Sequence, residues 1–194
     1  MAYFAVLLRA VNIGPSLRVS AADLRGAADD AGLGAARTLL NSGNLVVTPG
    51  TSGATLPDDV ARLVQECLAA RLGQDVPAVG LSAAQLDAIA RANPFPAAAR
   101  DDPSHLQVHV PFGDVDEAGV ARLDLANPGR EMLATGAGVL YVHYVDGIGR
   151  SKLTPRVIDK AVGAPTTARN WNTITKLRAA CAFSDDPAIR EDTR

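Results

Sequence analysis

The chain offers little from which to build metal or redox chemistry. Its 194 residues include two cysteines, three histidines and one tryptophan, and aromatic residues make up only 4%. No Cys-x-x-Cys is present, and His105 and His109, although four residues apart, fall where Val108, His109 and Val110 alternate as a strand rather than on a helix, so the common zinc motifs have no support. Cys67 and Cys181 are far apart in sequence, each among apolar residues at helical spacing, and read as free thiols in a reducing cytosol. No apolar run approaches the roughly 18 residues of a membrane span. The opening Met1–Arg9 lacks a basic leader region, and its apolar stretch stops at Arg9, as a strand would rather than a signal peptide. These absences predict a cytoplasmic protein with no metal, no cofactor and no membrane partner. A formal charge of −2 argues against general coating of nucleic acid.

Charge is nevertheless unevenly spread. Lysine occurs only at 152, 160 and 176, and residues 147–183 carry seven Lys/Arg against one acid, Asp159. That is a local excess of +6, which leaves −8 on the rest. The same segment holds Gly149-Arg-Ser-Lys-Leu-Thr-Pro155 and Thr167-Ala-Arg-Asn-Trp-Asn-Thr173, with the only tryptophan. Any binding of a polyanion must therefore be local.

With 47% hydrophobic residues the chain can bury a substantial core. Residues 3–8 form a continuous apolar strand. Ser20-Ala-Ala-Asp23 is a capping-box variant that opens a helix ending at Gly32. Arg37–Leu40 and Leu45–Thr48 flank the hairpin turn Asn41-Ser42-Gly43-Asn44. Pro57 starts a helix with an apolar stripe through Val60, Leu63, Val64, Cys67 and Leu68, and Val76–Leu81 closes the unit. Ser82-Ala-Ala-Gln85 begins a further helix, and Pro94–Pro103 reads as a connector. The plan then repeats. Leu106–Phe112 is a strand, Asp114–Glu117 starts a helix, and Glu131–Thr135 and Val139–Val145 form a hairpin across Gly136-Ala137-Gly138. Thr154-Pro155 opens a helix ending at Gly163, Pro165–Ala168 is extended, and Asn170 caps a last helix. Its face of Trp171, Ile174, Leu177 and Cys181 predicts a mostly buried indole. The fold class is α+β, two ferredoxin-like βαββαβ modules in tandem with an added C-terminal helix. The boundaries read as 1–81, a connecting 82–103, 104–184, and a frayed tail over 185–194.

The candidate ligand-binding set is Arg9, Asn12, Arg18, Ser42, Asn44, Arg150, Ser151, Lys152, Arg169 and Asn170. Arg9–Arg18 joins a strand to a helix N-terminus, where free N–H groups favour an anion, but a single glycine makes neither a Walker loop nor a dinucleotide fingerprint. Ser42 lacks a nucleophile elbow and an identifiable base. Arg150, Lys152 and Arg169 can pair with carboxylate or phosphate, and Asn170 adds a donor at a helix start. The domestic alternative pairs Arg150 and Arg169 with Asp146 or Asp159 and buries Trp171 as core. Arg9, Arg150 and Arg169 are expected to converge on one surface. If their strands are neighbours, Gln107, His109, Tyr141 and His143 share an open sheet face, as in RNA-reading sheets, although the RNA-binding octapeptide is missing.

Five segments carry a resemblance: Leu7-Leu-Arg-Ala-Val-Asn-Ile-Gly14, Ser42-Gly-Asn-Leu-Val-Val47, Asn93-Pro-Phe95, Arg150-Ser-Lys-Leu153 and Arg169-Asn-Trp-Asn-Thr173. In order and spacing they resemble the uncharacterised bacterial family called domain of unknown function 1697. The resemblance implies the α+β fold and supplies no activity. Ala10 and Pro15 stand where the family has glycine, and Ser16 where it is often basic, which stiffens the first loop and removes a charge. Three readings stay open. The first is a module holding a phosphate-containing ligand or nucleic acid in a basic cleft between the modules. The second is an enzyme on a phosphorylated or nucleotide substrate, needing neither metal nor cofactor. The third is a structural homodimer. Monomer and homodimer are equally compatible with the sequence, and no complete catalytic constellation names a reaction.

Overall fold

A computed structural model describes residues 2–12, 17–39, 43–127 and 129–182. Ser42 and the expected tail over 185–194 lie outside these described residues. The first module runs β1 (Phe4–Leu8), α1 (Ala21–Asp30), β2 (Gly34–Thr38), β3 (Asn44–Thr48), α2 (Pro57–Leu72) and β4 (Ala78–Ser82). Two helices follow, α3 (Ala83–Arg91) and α4 (Pro96–Asp101). The second module is β5 (Leu106–Pro111), α5 (Glu117–Ala126), β6 (Met132–Gly136), β7 (Val139–His143), α6 (Pro155–Val162) and β8 (Thr166–Asn170), succeeded by α7 (Trp171–Ala182). The strand orders, β2-β3-β1-β4 and β6-β7-β5-β8, are the same order written twice. The ladders β1–β3, β2–β3, β5–β7, β5–β8 and β6–β7 are antiparallel. These are two ferredoxin-like βαββαβ modules with a C-terminal helix.

The local chemistry explains the element ends. The Ser20 hydroxyl accepts from the Asp23 N–H at 3.1 Å while Asp23 accepts from the Ser20 N–H at 2.9 Å, a complete capping box on α1. Thr154 caps α6, Pro155 fills its first turn, and Gly163 ends it in the left-handed region at φ 83°. Asn170 caps α7 by accepting from the Thr173 N–H and hydroxyl at 2.9 and 2.8 Å. The connector holds more order than its prolines imply, because Pro96 sits in the first turn of α4, where a missing N–H costs nothing.

The chain divides into two compact units, Met1–Leu7 with Val11–Ala83 and Leu177–Arg194, and Leu8–Ala10 with Ala84–Lys176. In the first, β1 and β3 are buried along their whole length, as strands covered on both faces are. In the second, one face of the sheet turns Leu140 and Val142 toward a core with Val120, Ile158 and Val162. The opposite face carries the α3–α4 segment. The Tyr141 hydroxyl donates to the Ile89 carbonyl at 2.7 Å, Ala92 lies beside Gly136, and Asp102 contacts His143.

The register settles the expected open face. His109 pairs with Leu140 and Gln107 with Val142, whereas Tyr141 pairs with Val108 and His143 with Leu106. Directly paired residues share a face, so Gln107 and His109 lie opposite Tyr141 and His143. Both Tyr141 and His109 are buried, so the four do not form a base-stacking platform. Alternation within each strand was readable; which pairs align was not.

The β6–β7 hairpin turns through Ala137 at φ 50° and Gly138 at φ 73°. Two left-handed residues in succession make the mirror-type turn that favours Asn-Gly, and a left-handed alanine costs about 1 kcal/mol. Ala137→Asn should therefore raise stability by about 0.5–1 kcal/mol, read as a higher urea midpoint at unchanged slope. A lower midpoint would contradict this turn geometry.

Candidate anion-binding site

Most of the candidate residues prove to hold the backbone. Arg9 donates through Nε to the Thr166 carbonyl at 3.0 Å and through Nη2 to Asp159 at 2.6 Å. The other Asp159 oxygen accepts from the Thr166 N–H and hydroxyl at 2.8 and 2.9 Å, so one carboxylate fixes both Arg9 and the start of β8. Arg169 is buried, 7% exposed, and donates to the Ala168 and Leu8 carbonyls at 2.8 Å and to the Thr167 hydroxyl at 2.9 Å. Thr167 in turn donates to the same Leu8 carbonyl at 2.9 Å. Burial pulls the Arg169 guanidinium down to about 10. Leu8–Arg9 is thus clasped by β8 and α6, with Arg9 and Arg169 on the same clasp.

Asn12, at φ 57°, closes its loop by exchanging two hydrogen bonds with Val19, 3.0 and 3.1 Å. Ala10 also stands at φ 57°, a conformation natural to glycine. Arg18 is exposed. Asn44 is buried and donates to the Leu39 carbonyl at 2.9 Å, bracing the hairpin. Trp171, the first residue of α7, is intermediate in exposure, consistent with the expected mostly buried indole, while Ile174, Leu177 and Cys181 deeper in the helix are fully buried.

Arg150, Ser151 and Lys152 belong elsewhere. They line a pocket of about 340 Å³ with Asn127, Gly129, Arg130, Glu131, Asp146 and Gly147, a lining that contains neither Arg9 nor Arg169. The expected three-arginine convergence therefore splits: Arg9 and Arg169 clasp Leu8, whereas Arg150 faces this pocket. The reason is burial, since β8 carries Arg169 into the interior while Arg150 ends an exposed 3-10 turn, Ile148–Arg150.

The pocket's acids are engaged. Asp146 pairs with Arg130 at 2.9 Å. Glu131 accepts from the Asn127 amide at 3.2 Å, and the Ser151 hydroxyl, foremost, holds its carboxyl below the usual range. The Ser151 oxygen also accepts from the Leu153 N–H at 3.0 Å, which fixes the turn. Arg150 and Lys152 are exposed and have no ion pair among the described residues. Sequence reading missed Arg130 and Glu131, which enter from the β6 side, and named Asp146, in the turn after β7, only as a partner for Arg150 or Arg169, whereas it pairs with Arg130.

A second polar cluster lies nearby in the chain. Asp102 accepts from His105 Nδ1 at 2.8 Å and from His143 Nε2 at 3.0 Å. Its carboxyl is held below the ordinary range, first by His143 and then by His105. His109 is buried on the opposite face with Tyr144 at 3.4 Å, and desolvation lowers it to about 4 despite the nearby Asp159 charge. Among the described residues no group of three His, Cys, Asp or Glu is arranged to hold a metal ion. Among those residues no helix is long and apolar enough to cross a membrane.

Comparisons with known proteins agree with this architecture and add no activity. No protein with a curated description matches. A solved structure described as that of the conserved bacterial protein SP0830 from Streptococcus pneumoniae is 22% identical. The match covers 92% of this chain and 97% of that one, with a TM-score of 0.66, which shows a shared fold. Residues 1–141 match the family described as "Protein of unknown function (DUF1697)". The match spans most of the chain and carries the Leu7–Gly14, Ser42–Val47 and Asn93–Phe95 segments, and the chain belongs to this DUF1697 family.

Proposed function

We propose that this chain is a binding module for a small oxyanion, a phosphate-type group, held in the pocket of the second unit by Arg150 and Lys152. The observation that carries this reading is an imbalance. Both acids of the pocket have partners, whereas two of its cations face solvent without one among the described residues. Two like charges held close repel each other unless an anion joins them. At about 340 Å³ the pocket sits at the small end of ligand sites, and no aromatic ring lines it, which favours a compact phosphorylated metabolite over a stacked base. Arg9 and Arg169 serve the fold in this reading, and the ligand falls to Arg150, Ser151 and Lys152.

We further infer a cytoplasmic setting, supported by two free cysteines, one of them buried and pushed up to about 12 by desolvation. Inorganic phosphate at 100 times its Kd should stabilise the protein by about 2.7 kcal/mol, seen as a rise in Tm. Arg150→Ala with Lys152→Ala should remove that rise and leave the Tm without phosphate nearly unchanged. An equal rise in the double variant would exclude this pocket.

A further inference from the structure

The two acids of the pocket are engaged to different degrees. Glu131 accepts from the Asn127 amide at 3.2 Å and from the Ser151 hydroxyl. Asp146 has a single partner. Arg130 Nη1 donates to its Oδ1 at 2.9 Å, and Oδ2 accepts no hydrogen bond among the described residues. A carboxylate offers about four acceptor sites, so Asp146 keeps open ones on the wall of a pocket it lines. The same run of turns carries Arg150. The Gly147 N–H donates to the Tyr144 carbonyl at 2.8 Å, and the Arg150 N–H to the Gly147 carbonyl at 3.2 Å. These backbone bonds hold an unfilled acceptor and a solvent-facing cation on one short segment, both lining the pocket.

We propose that the pocket takes a phosphate ester of a hydroxylated carbon chain, a sugar or polyol phosphate, with a ligand hydroxyl donating to Asp146 while the phosphate meets Arg150 and Lys152. The inference rests on the oxyanion reading of the pocket and adds what the rest of the ligand must be. A bare oxyanion gains nothing from Asp146, because a carboxylate has no proton to give and repels a like charge. An ammonium group fits poorly as well. The lining has three cations against two acids, and an ammonium would compete with Arg130 for the same carboxylate. A neutral hydroxyl carries no such penalty, and its hydrogen bond is strengthened by the charge on the acceptor. The Asp146 side chain is 51% exposed, so water competes for that site and the gain is moderate.

Three esters of similar size separate these cases by titration calorimetry on the full chain: glycerol 3-phosphate, propyl phosphate without hydroxyls, and O-phosphoethanolamine with an ammonium. Glycerol 3-phosphate should bind about tenfold more tightly than propyl phosphate, with O-phosphoethanolamine no tighter than propyl phosphate. Asp146→Ala should bring glycerol 3-phosphate and propyl phosphate to within about twofold of each other. The ratio within one protein cancels any change in stability or in phosphate binding that the two esters share, and the wild-type comparison needs no variant. Equal affinity of the two esters in wild type, or the full ratio retained in Asp146→Ala, would overturn the hydroxyl contact and leave the oxyanion reading intact. Tightest binding of O-phosphoethanolamine would overturn the neutral donor in the same way, as would binding of inorganic phosphate with none of the esters. Silence of all three esters and of inorganic phosphate would overturn the oxyanion reading itself.

Discussion

Arg169→Ala should cost about 3 kcal/mol, because it removes charge-assisted hydrogen bonds from a buried site. The guanidinium reaches the Leu8 and Ala168 carbonyls and the Thr167 hydroxyl at 2.8–2.9 Å. Truncation would strip the Leu8 carbonyl of its guanidinium donor and leave a void where the side chain lay. Arg169→Lys should recover only part of the loss, since an ammonium cannot span three oxygens as the planar fork does. Urea unfolding of the two variants against wild type measures both effects. A cost under about 1 kcal/mol would return Arg169 to the ligand-binding candidates.

The second large effect is on pH. His109 ionises at about 4 in the folded protein against 6.5 in the unfolded chain, because burial disfavours its charged form. Below pH 6.5 the unfolded state takes up a proton that the native state refuses, so protonation favours unfolding. Stability should fall as pH drops from 6.5 to about 4, at up to about 1.4 kcal/mol per unit and about 3 kcal/mol in all, and this contribution should level off below pH 4. His109→Gln should remove that component while the shared titration of the other groups remains. The informative quantity is the difference between the two stability profiles. Parallel profiles from pH 4 to 7 would show that His109 is not buried neutral.

The fold was legible because its signals are local. Ser20 with Asp23, Thr154 with Pro155, and Gly163 fix helix ends through groups a few residues apart, and the hairpins announce themselves at Asn41–Asn44 and Gly136–Gly138. What escaped was set by distant pairing. The alternation of Gln107 and His109, and of Tyr141 and His143, is visible in the sequence, yet which residues face each other depends on the β5–β7 register. The same holds for the site. Arg150, Ser151 and Lys152 are adjacent and were found together, whereas Arg9 and Arg169 look like equal candidates until β8 is seen to bury one and Asp159 to pair the other. Glu131 and Asp146, about 15 residues apart along the hairpin, become pocket residues only when β6 and β7 pair.

The central claim is that the pocket beside the Ile148–Arg150 turn takes an oxyanion, and titrating inorganic phosphate into ¹⁵N-labelled protein tests it most directly. The account predicts saturable shifts concentrated on the amides of residues 129–131 and 146–152, with none of comparable size at Leu8–Arg9 or Thr166–Asn170, and their loss in the Arg150→Ala, Lys152→Ala variant. Saturable shifts centred on Leu8–Arg9 and Arg169, or no saturable shift at all, would contradict it.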